Sequence, residues 1–393
     1  MVFEHVFNDK FKMKKIIRIS TIPGSLGHLL KGQLRFMSDH YEVIGIANQS
    51  GDLAKVGRDE GIRTIPVEMT RTITPFKDLK GLLELYSIFK KEKPFIVHTH
   101  TPKAGTLGML AAKLAGVPHR LHTIAGLPLL EASGPKRKLL NTVEKLTYAC
   151  ATQILPNSFA IKDIVIKEKF CSEDKLRVIG NGSSNGIDTE HYDKKNVSIE
   201  SLDKLRKQLN IKSQDIVFLF IGRVVKDKGV NELVEAFDMI SKSHSNAKLI
   251  IVGQSEKLLD PINPGTESLI KSNINIHETD YVKDIRPYVA LSHIFTFPSY
   301  REGFPNVVLQ AGCMEMPCIV TNINGCNEII SDNYNGLVIP VKDTIALKEA
   351  MLELYNNPDK IKELAKNARP NIINKYKREL IWEELLDLYN NLE

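Results

Sequence analysis

The sequence predicts an α/β protein made of two doubly wound domains. Three observations point to it. Short β-branched runs alternate with stretches of helical period, the alternation breaks once in a Gly/Asn/Ser-rich segment near residue 180, and it then restarts. The chain has 393 residues, enough for two domains of about 100–200 residues, each able to bury its own core. In the first half, β-branched runs predict strands over 16–21, 42–47, 95–98, 120–123 and 152–155. Helical stretches lie between them, among them 104–115, which Gly116 and Pro118 close because one favours a left-handed cap and the other cannot continue a helix. Such alternation predicts a parallel sheet covered on both faces. The pattern breaks at Ile179-Gly180-Asn181-Gly182-Ser183-Ser184-Asn185-Gly186-Ile187-Asp188 and a charged segment follows. Strands are then expected over 216–221, 248–252, 274–277, 294–297 and 319–321. The expected domains are 14–195 and 196–375, with 376–393 as a C-terminal helix that packs back on the first. Ligands of such sheets bind at the strand carboxyl ends, here in a cleft where the two domains face each other. Residues 1–12 precede Met13 and the basic-then-apolar run Lys14-Lys15-Ile16-Ile17, and are read as an extension outside the fold.

Composition narrows the class of function. With 42% hydrophobic and 25% charged residues, the chain is an ordinary soluble globular protein, not a disordered, fibrous or membrane-spanning one. The five cysteines are odd in number and form no Cys-x-x-Cys, which argues against a disulfide framework or a tetrahedral zinc site. No apolar run approaches the roughly 20 residues that cross a bilayer, and the N-terminus lacks the apolar stretch of a signal peptide. A cytoplasmic protein is expected. The net charge of +6 is uneven: residues 1–200 carry 30 Lys and Arg against 21 Asp and Glu, residues 201–393 carry 23 against 26. A basic first half suits an anionic partner, either a phosphorylated ligand or an anionic membrane surface. Nucleic acid is not expected, because no long basic run or RNA-binding aromatic signature accompanies the charge.

Two segments carry candidate chemistry. In Gly222-Arg223-Val224-Val225-Lys226-Asp227-Lys228-Gly229, two cations follow an apolar strand and precede a helix, beside glycines that let backbone approach a ligand. Arg223 can fork two oxygens of a diphosphate and Lys228 can add a point charge, although the same run also reads as a solvated turn. In Pro298-Ser299-Tyr300-Arg301-Glu302-Gly303-Phe304-Pro305-Asn306-Val307-Val308-Leu309-Gln310, a carboxylate sits in the turn before a helix whose first N–H groups are free for an anion. Gln310 lies one turn beyond Asn306, on the same side. A Glu at this place can accept hydrogen bonds from sugar hydroxyls, and it also reads as a charge favoured by the helix dipole.

Together these segments resemble the retaining glycosyltransferases of family 4, which have the GT-B fold of two Rossmann-like domains about a cleft. The Gly-Arg-x4-Lys-Gly run, the Glu-Gly-Phe-Pro turn and Asn185-Gly186-Ile187-Asp188 carry the resemblance, which extends from about residue 14 to the end. Val97-His98-Thr99-His100-Thr101-Pro102-Lys103-Ala104-Gly105 is similar to the subgroup that builds bacterial capsule and O-antigen glycans. The resemblance implies that Arg223 and Lys228 bind the donor diphosphate and Glu302 the donor sugar. Gly24, Gly222, Gly303, Phe304, Asn306, Val307 and Gln310 then complete the donor site, with His100, His122 and Lys103 on the acceptor side. It further implies a nucleotide-sugar donor, a UDP-hexose or UDP-N-acetylhexosamine, and a saccharide acceptor carried on a polyprenyl diphosphate. No metal and no cofactor besides the donor are implied. Two residues depart from the family pattern: position 310 is Gln where a ribose-binding carboxylate is usual, and Ala125 stands where a His is often found. A nucleotide-sugar epimerase, with His100 as an acid/base group, and a non-catalytic subunit of a glycan-assembly complex remain the alternatives.

Other features are weaker. His98 and His100 alternate by two and share a strand face, a metal-like spacing with no third ligand evident. The chain contains no Asp-x-Asp. Thr21-Ile22-Pro23-Gly24-Ser25-Leu26-Gly27-His28 reads as a glycine-bearing loop after the first strand. Lys136-Arg137-Lys138-Leu139-Leu140 opens an amphipathic helix whose basic start suits an anionic lipid surface at the inner face of the plasma membrane, or simply solvent.

Overall fold

The computed structural model describes residues 13–50, 52–70, 72, 74–256 and 260–392. The leader at 1–12 lies outside them. The chain divides into two compact units, one running up to Asn185 and resuming at Ile381, the other spanning Gly186–Leu380.

In the first unit, β1 (Lys15–Ile19), β2 (Glu42–Ala47), β3 (Arg63–Pro66), β4 (Ile96–Thr99), β5 (His119–Ile124) and β6 (Gln153–Pro156) form one sheet in the order β3-β2-β1-β4-β5-β6. Every pairing is parallel. Alternation of side chains along β1 sends Ile17 and Ile19 into one core and Ile16 into another on the opposite face. The helix Pro102–Ala115 covers the first face through Ala104, Met109, Ala111 and Ala112. It begins with Pro at its first position, two residues before the expected start, and ends on Gly116 at φ +77°, as the sequence indicates. The opposite face is covered by Leu26, Leu30, Leu34 and by the C-terminal helix Arg378–Asn390, which contributes Ile381, Trp382, Leu385, Leu388 and Tyr389.

The second unit repeats the plan. Its strands β7 (Ile216–Ile221), β8 (Ala247–Val252), β9 (Ile276–Thr279), β10 (Ile294–Phe297), β11 (Cys318–Thr321) and β12 (Gly336–Ile339) run in the order β12-β11-β10-β7-β8-β9, all parallel. Their apolar runs are buried on both faces. In each sheet the order reverses between the first and fourth strands, so the loops after those two strands diverge to opposite sides and leave a crevice between them. In the second unit those are the loops after β7 and β10, the two motif-bearing segments.

Two edge strands were not expected from sequence. β3 is half exposed and charged at its start, so it has no apolar run to announce it. β12 begins in Asn335-Gly336, which reads as a turn; Gly336 is required there because a Cβ would lie 2.2 Å from the Cys318 carbonyl oxygen. The stretch from Thr21 to His28, expected as a loop, is helical from Pro23 to Leu29, with proline at the first helical position. Gly24 is therefore a helix residue, with only the His28 ring and the Ile22 methyl near its hydrogen. Among the described residues no helix is long and apolar enough to cross a membrane.

The C-terminal helix belongs to the core of the first unit, and it carries the chain's single tryptophan. Leu385→Ala removes a side chain 3% exposed and should lower the stability of that unit by about 2–5 kcal/mol. Denaturant unfolding followed by Trp382 fluorescence measures this; an unmoved transition would mean the helix adds nothing to the unit.

Candidate active site

The loops after β7 and β10 are stitched together by short contacts. Gly229 has φ +70°, and a Cβ there would lie 2.0 Å from the Pro298 carbonyl oxygen, so only glycine lets the two loops approach. The freedom of this glycine serves loop-to-loop packing, not approach to a ligand. The Tyr300 amide donates to the Asp227 carbonyl at 2.8 Å, and Arg301 Nη2 pairs with Asp227 Oδ2 at 2.9 Å. Asp227 N–H in turn donates to Asp260 Oδ2 at 2.7 Å.

On this frame Lys228 and Glu302 meet. Lys228 Nζ forms an ion pair with Glu302 Oε1, and both side chains are about five-sixths buried. The ammonium lies 5.7 Å over the centre of the Phe297 ring. The Ser299 hydroxyl is 3.0 Å from Glu302 Oε1, and the Ser299 carbonyl accepts from Thr321 Oγ1. Asn324 Nδ2 donates to the Glu302 carbonyl, fixing its backbone. Ser299, Thr321 and Asn324 were not singled out from sequence. Ser299 stands three residues before Glu302 in the motif itself, and Asn324 lies in the Asn/Gly-rich turn after β11, a polar signal at a strand end.

Arg223 is different in kind. It is half exposed and its Nη1 pairs with Glu256 at 2.8 Å. A guanidinium paired through Nη1 with one surface carboxylate among the described residues keeps donors for an incoming anion. The helix Asn306–Cys313 begins directly after Pro305, with Asn306 exposed and Val307 partly exposed, while the Phe304 ring is turned inward onto Tyr376 at 5.4 Å. Gln310 Nε2 donates to Tyr192 Oη at 2.8 Å. Its donor is thus engaged and its carbonyl oxygen is the end that can accept. Arg223, Lys228, Glu302 and this helix start together suit a ligand that is both anionic and rich in hydroxyls.

The residues expected on the acceptor side are in the first unit, and the structure places two of them in its interior. His100 and His122 are each 3% exposed. His100 Nε2 accepts from Arg18 Nε at 2.9 Å, and His122 Nδ1 is 2.8 Å from Thr99 Oγ1, with burial pushing the His122 pKa down to about 4. Both rings are so engaged in the interior, His122 on β5 and His100 one residue beyond the end of β4. Lys103 is largely buried and paired with Asp78. Burial pushes the Asp78 carboxyl up, but hydrogen bonds from Lys103 and Thr74 outweigh it and hold the pKa below the ordinary value. Ala125, just past β5, is exposed. The His98 nitrogens face Tyr389 Oη at 2.6 Å and Thr123 Oγ1 at 2.7 Å, which leaves none for a metal. Among the described residues no group of three or more His, Cys, Asp or Glu is placed to hold a metal ion.

Comparison with known proteins accords with this arrangement. Residues 22–158 match the family described as glycosyl transferase 4-like, and residues 201–371 match glycosyl transferases group 1. The chain is 34% identical to the capsular polysaccharide biosynthesis glycosyltransferase CapM of Staphylococcus aureus, over 96% of this chain and 97% of that one. It is 31% identical to the UDP-Gal:alpha-D-GlcNAc-diphosphoundecaprenol alpha-1,3-galactosyltransferase of Escherichia coli, over 90% and 89%. The crystal structure of Anabaena HepE in complex with UDP-glucose superposes with a TM-score of 0.79, covering 96% of this chain and 99% of that one at 17% identity, a likeness of fold. Matched by both family descriptions and by relatives along nearly its whole length, this two-sheet GT-B chain belongs to the family 4 glycosyltransferases.

Proposed function

We propose that the enzyme moves a hexose or N-acetylhexosamine from a UDP-sugar to a saccharide carried on a polyprenyl diphosphate, with retention of anomeric configuration, in the assembly of a surface polysaccharide. The observation that carries the reading is the pairing of Lys228 with Glu302 where the strand order of the second sheet reverses, with Arg223 in the same loop after β7 as Lys228. Two relatives support the substrate class by name, one as a UDP-galactose transferase acting on a diphosphoundecaprenol-linked sugar and the other as a capsule enzyme. Arg223 and Lys228 take the donor diphosphate, and the N–H groups at Gly303, Asn306 and Val307 add to the field that receives it. Glu302 accepts hydroxyls of the donor sugar; Lys228 leaves its pairing with Glu302 or shares it with phosphate. Gly222 keeps the strand end open, and the Gln310 carbonyl accepts from a ribose hydroxyl.

In the reaction, the acceptor oxygen bonds to the anomeric carbon on the face from which the diphosphate departs. The bond to the diphosphate breaks, and the acceptor's proton passes to a leaving phosphate oxygen. The two cations stabilise charge that grows only as that bond breaks, which is where electrostatic catalysis acts. No cofactor besides the donor is required, and the charge is met by side chains without a metal. The epimerase alternative loses its acid/base candidate, since His100 is interior and burial, then the Arg18 charge, lowers its pKa.

Two surface features support a peripheral position on an anionic membrane. Lys136, Lys138 and Leu139 are exposed at the start of the helix Gly134–Cys150. Arg137 between them is structural, bonding Leu129, Asn141 and Glu168. The helix Pro75–Glu92 leaves Phe76, Leu79, Leu83 and Tyr86 exposed at helical spacing, with Phe76 91% exposed. Exposed apolar side chains on one helix and exposed lysines on another suit the headgroup boundary of anionic lipid.

Arg223→Ala should lower kcat/KM by about 10²–10³-fold and leave the melting temperature nearly unchanged, since its ion pair with Glu256 is at the surface. A UDP-induced thermal shift in the parent enzyme, lost in this variant, identifies the donor site; unchanged activity would refute it. Gln310→Glu should lower the KM for the donor by about threefold to tenfold, because a carboxylate accepts ribose hydroxyls more strongly than an amide. Steady-state kinetics at saturating acceptor decides it, and an unaltered KM would place residue 310 away from the ribose. Phe76→Glu combined with Lys136→Glu should abolish co-sedimentation with phosphatidylglycerol vesicles while leaving donor binding intact; co-sedimentation that persists would locate the lipid contact elsewhere.

A further inference from the structure

Arg18 lies in the middle of β1 with no exposed surface, on the sheet face covered by the C-terminal helix. Burial of a guanidinium without a carboxylate costs several kcal/mol unless something else supplies negative charge. Its hydrogen-bonding partners are neutral: Nε donates to His100 Nε2 at 2.9 Å, and Nη2 donates to Gln33 Oε1. Burial lowers the Arg18 pKa, and the Tyr389 phenol, its own pKa pushed up to about 12 by burial, stays neutral and supplies no balancing negative charge. The adjacent rings of His98 and His100, driven toward the neutral form by burial, add no further positive charge and offer no negative charge either.

The donors left over converge. Arg18 Nη1 has no hydrogen-bond partner among the described residues, and neither has His100 Nδ1. Because His100 Nε2 accepts from Arg18, the hydrogen of the neutral ring is on Nδ1, which makes that orphan atom a donor. The Ser184 hydroxyl and the Asn157 side-chain oxygen are also without partners. All four residues line one cavity of about 20 Å³, which Gln33, Thr123, Leu155, Ile381 and Leu385 also line. That is room for one occupant of water or halide size. Asn157 can present either its oxygen or, turned over, its NH₂.

We infer that this cavity is a binding site for a small monovalent anion of chloride size, held by Arg18 Nη1, His100 Nδ1–H and the Ser184 hydroxyl. The buried positive charge selects an anion over water, and three donors against one reversible amide make the lining an anion's coordination shell. The site is tied to the place where the chain leaves the first unit. Gln33, bonded to Arg18, donates from Nε2 to the Ser184 carbonyl and to Asn185 Oδ1 at 3.1 Å each, and Asn185 Oδ1 also accepts from Trp382 Nε1 at 2.7 Å. An anion at Arg18 thereby stiffens the segment up to Asn185, the last residue of that unit before Gly186.

The test uses the full chain without donor or acceptor. Thermal unfolding, read by Trp382 fluorescence, is measured as sodium gluconate is replaced by sodium bromide at constant ionic strength. The expected result is a melting temperature that rises with the logarithm of bromide concentration above the dissociation constant, and a flat response in Arg18→Met. Equal melting temperatures in the two salts, or the same rise in the variant, would overturn the inference. Should the variant fail to fold, bromide-soaked crystals of the parent protein decide the matter. An anomalous peak between Arg18 and Ser184 supports the site, and a water refined there with no anomalous signal refutes it.

Discussion

The ion pair between Lys228 and Glu302 joins two loops 74 residues apart in the chain. Everything proposed for the donor depends on that meeting being reproducible. Neither side chain could be buried to this degree alone, since an isolated charge in a poorly solvated site costs more than folding can spare. The pair is tolerated because its surroundings are polar and held in place. Ser299 touches the carboxylate, Asn324 holds the Glu302 backbone, and Asp227 binds both the amide of Tyr300 and the guanidinium of Arg301. Gly229 makes the approach possible by giving the Pro298 carbonyl room. A charged pair held in this way is preorganised for a ligand that carries both negative charge and hydroxyls, because little has to move before it acts.

The first unit solves a different electrostatic problem. Its sheet buries a guanidinium and three imidazoles in adjacent strands, with Arg18 and His98 in register across β1 and β4. The histidines stay neutral and pair with hydroxyls, phenol and guanidinium, so they rigidify the sheet instead of presenting acid/base groups to solvent. This separates the two units by chemistry. One offers fixed charge at an accessible strand end, while the other keeps Arg18, His98, His100 and His122 inside and places apolar and basic side chains on its outer helices.

Much of the architecture was legible in the order of residues. The β-branched runs at 42–47, 216–221 and 294–297 coincide with β2, β7 and β10, because a strand buried on both faces must be apolar throughout. The edge strands β3 and β12 were not legible: a half-exposed strand has no continuous apolar run, and Gly336 carries the signature of a turn while serving a close backbone approach. Among site residues, Arg223, Lys228 and Glu302 stood out because charge beside glycine at a strand end is unusual. Ser299 and Asn324 did not, since their roles consist of holding another residue.

Local sequence by itself determined ten of the twelve strands, that the chain forms two doubly wound units, and which loops carry charge, because period and turn chemistry act over a few residues. Tertiary structure alone decided that Lys228 pairs with Glu302, that Gln310 spends its donor on Tyr192, and that His100 and His122 lie inside while Arg18 is left with an unanswered charge. These outcomes depend on which side chains from distant strands share a face and how deeply packing buries them. Hydrogen-bond partners and dielectric surroundings are set by that three-dimensional neighbourhood, which no stretch of sequence contains.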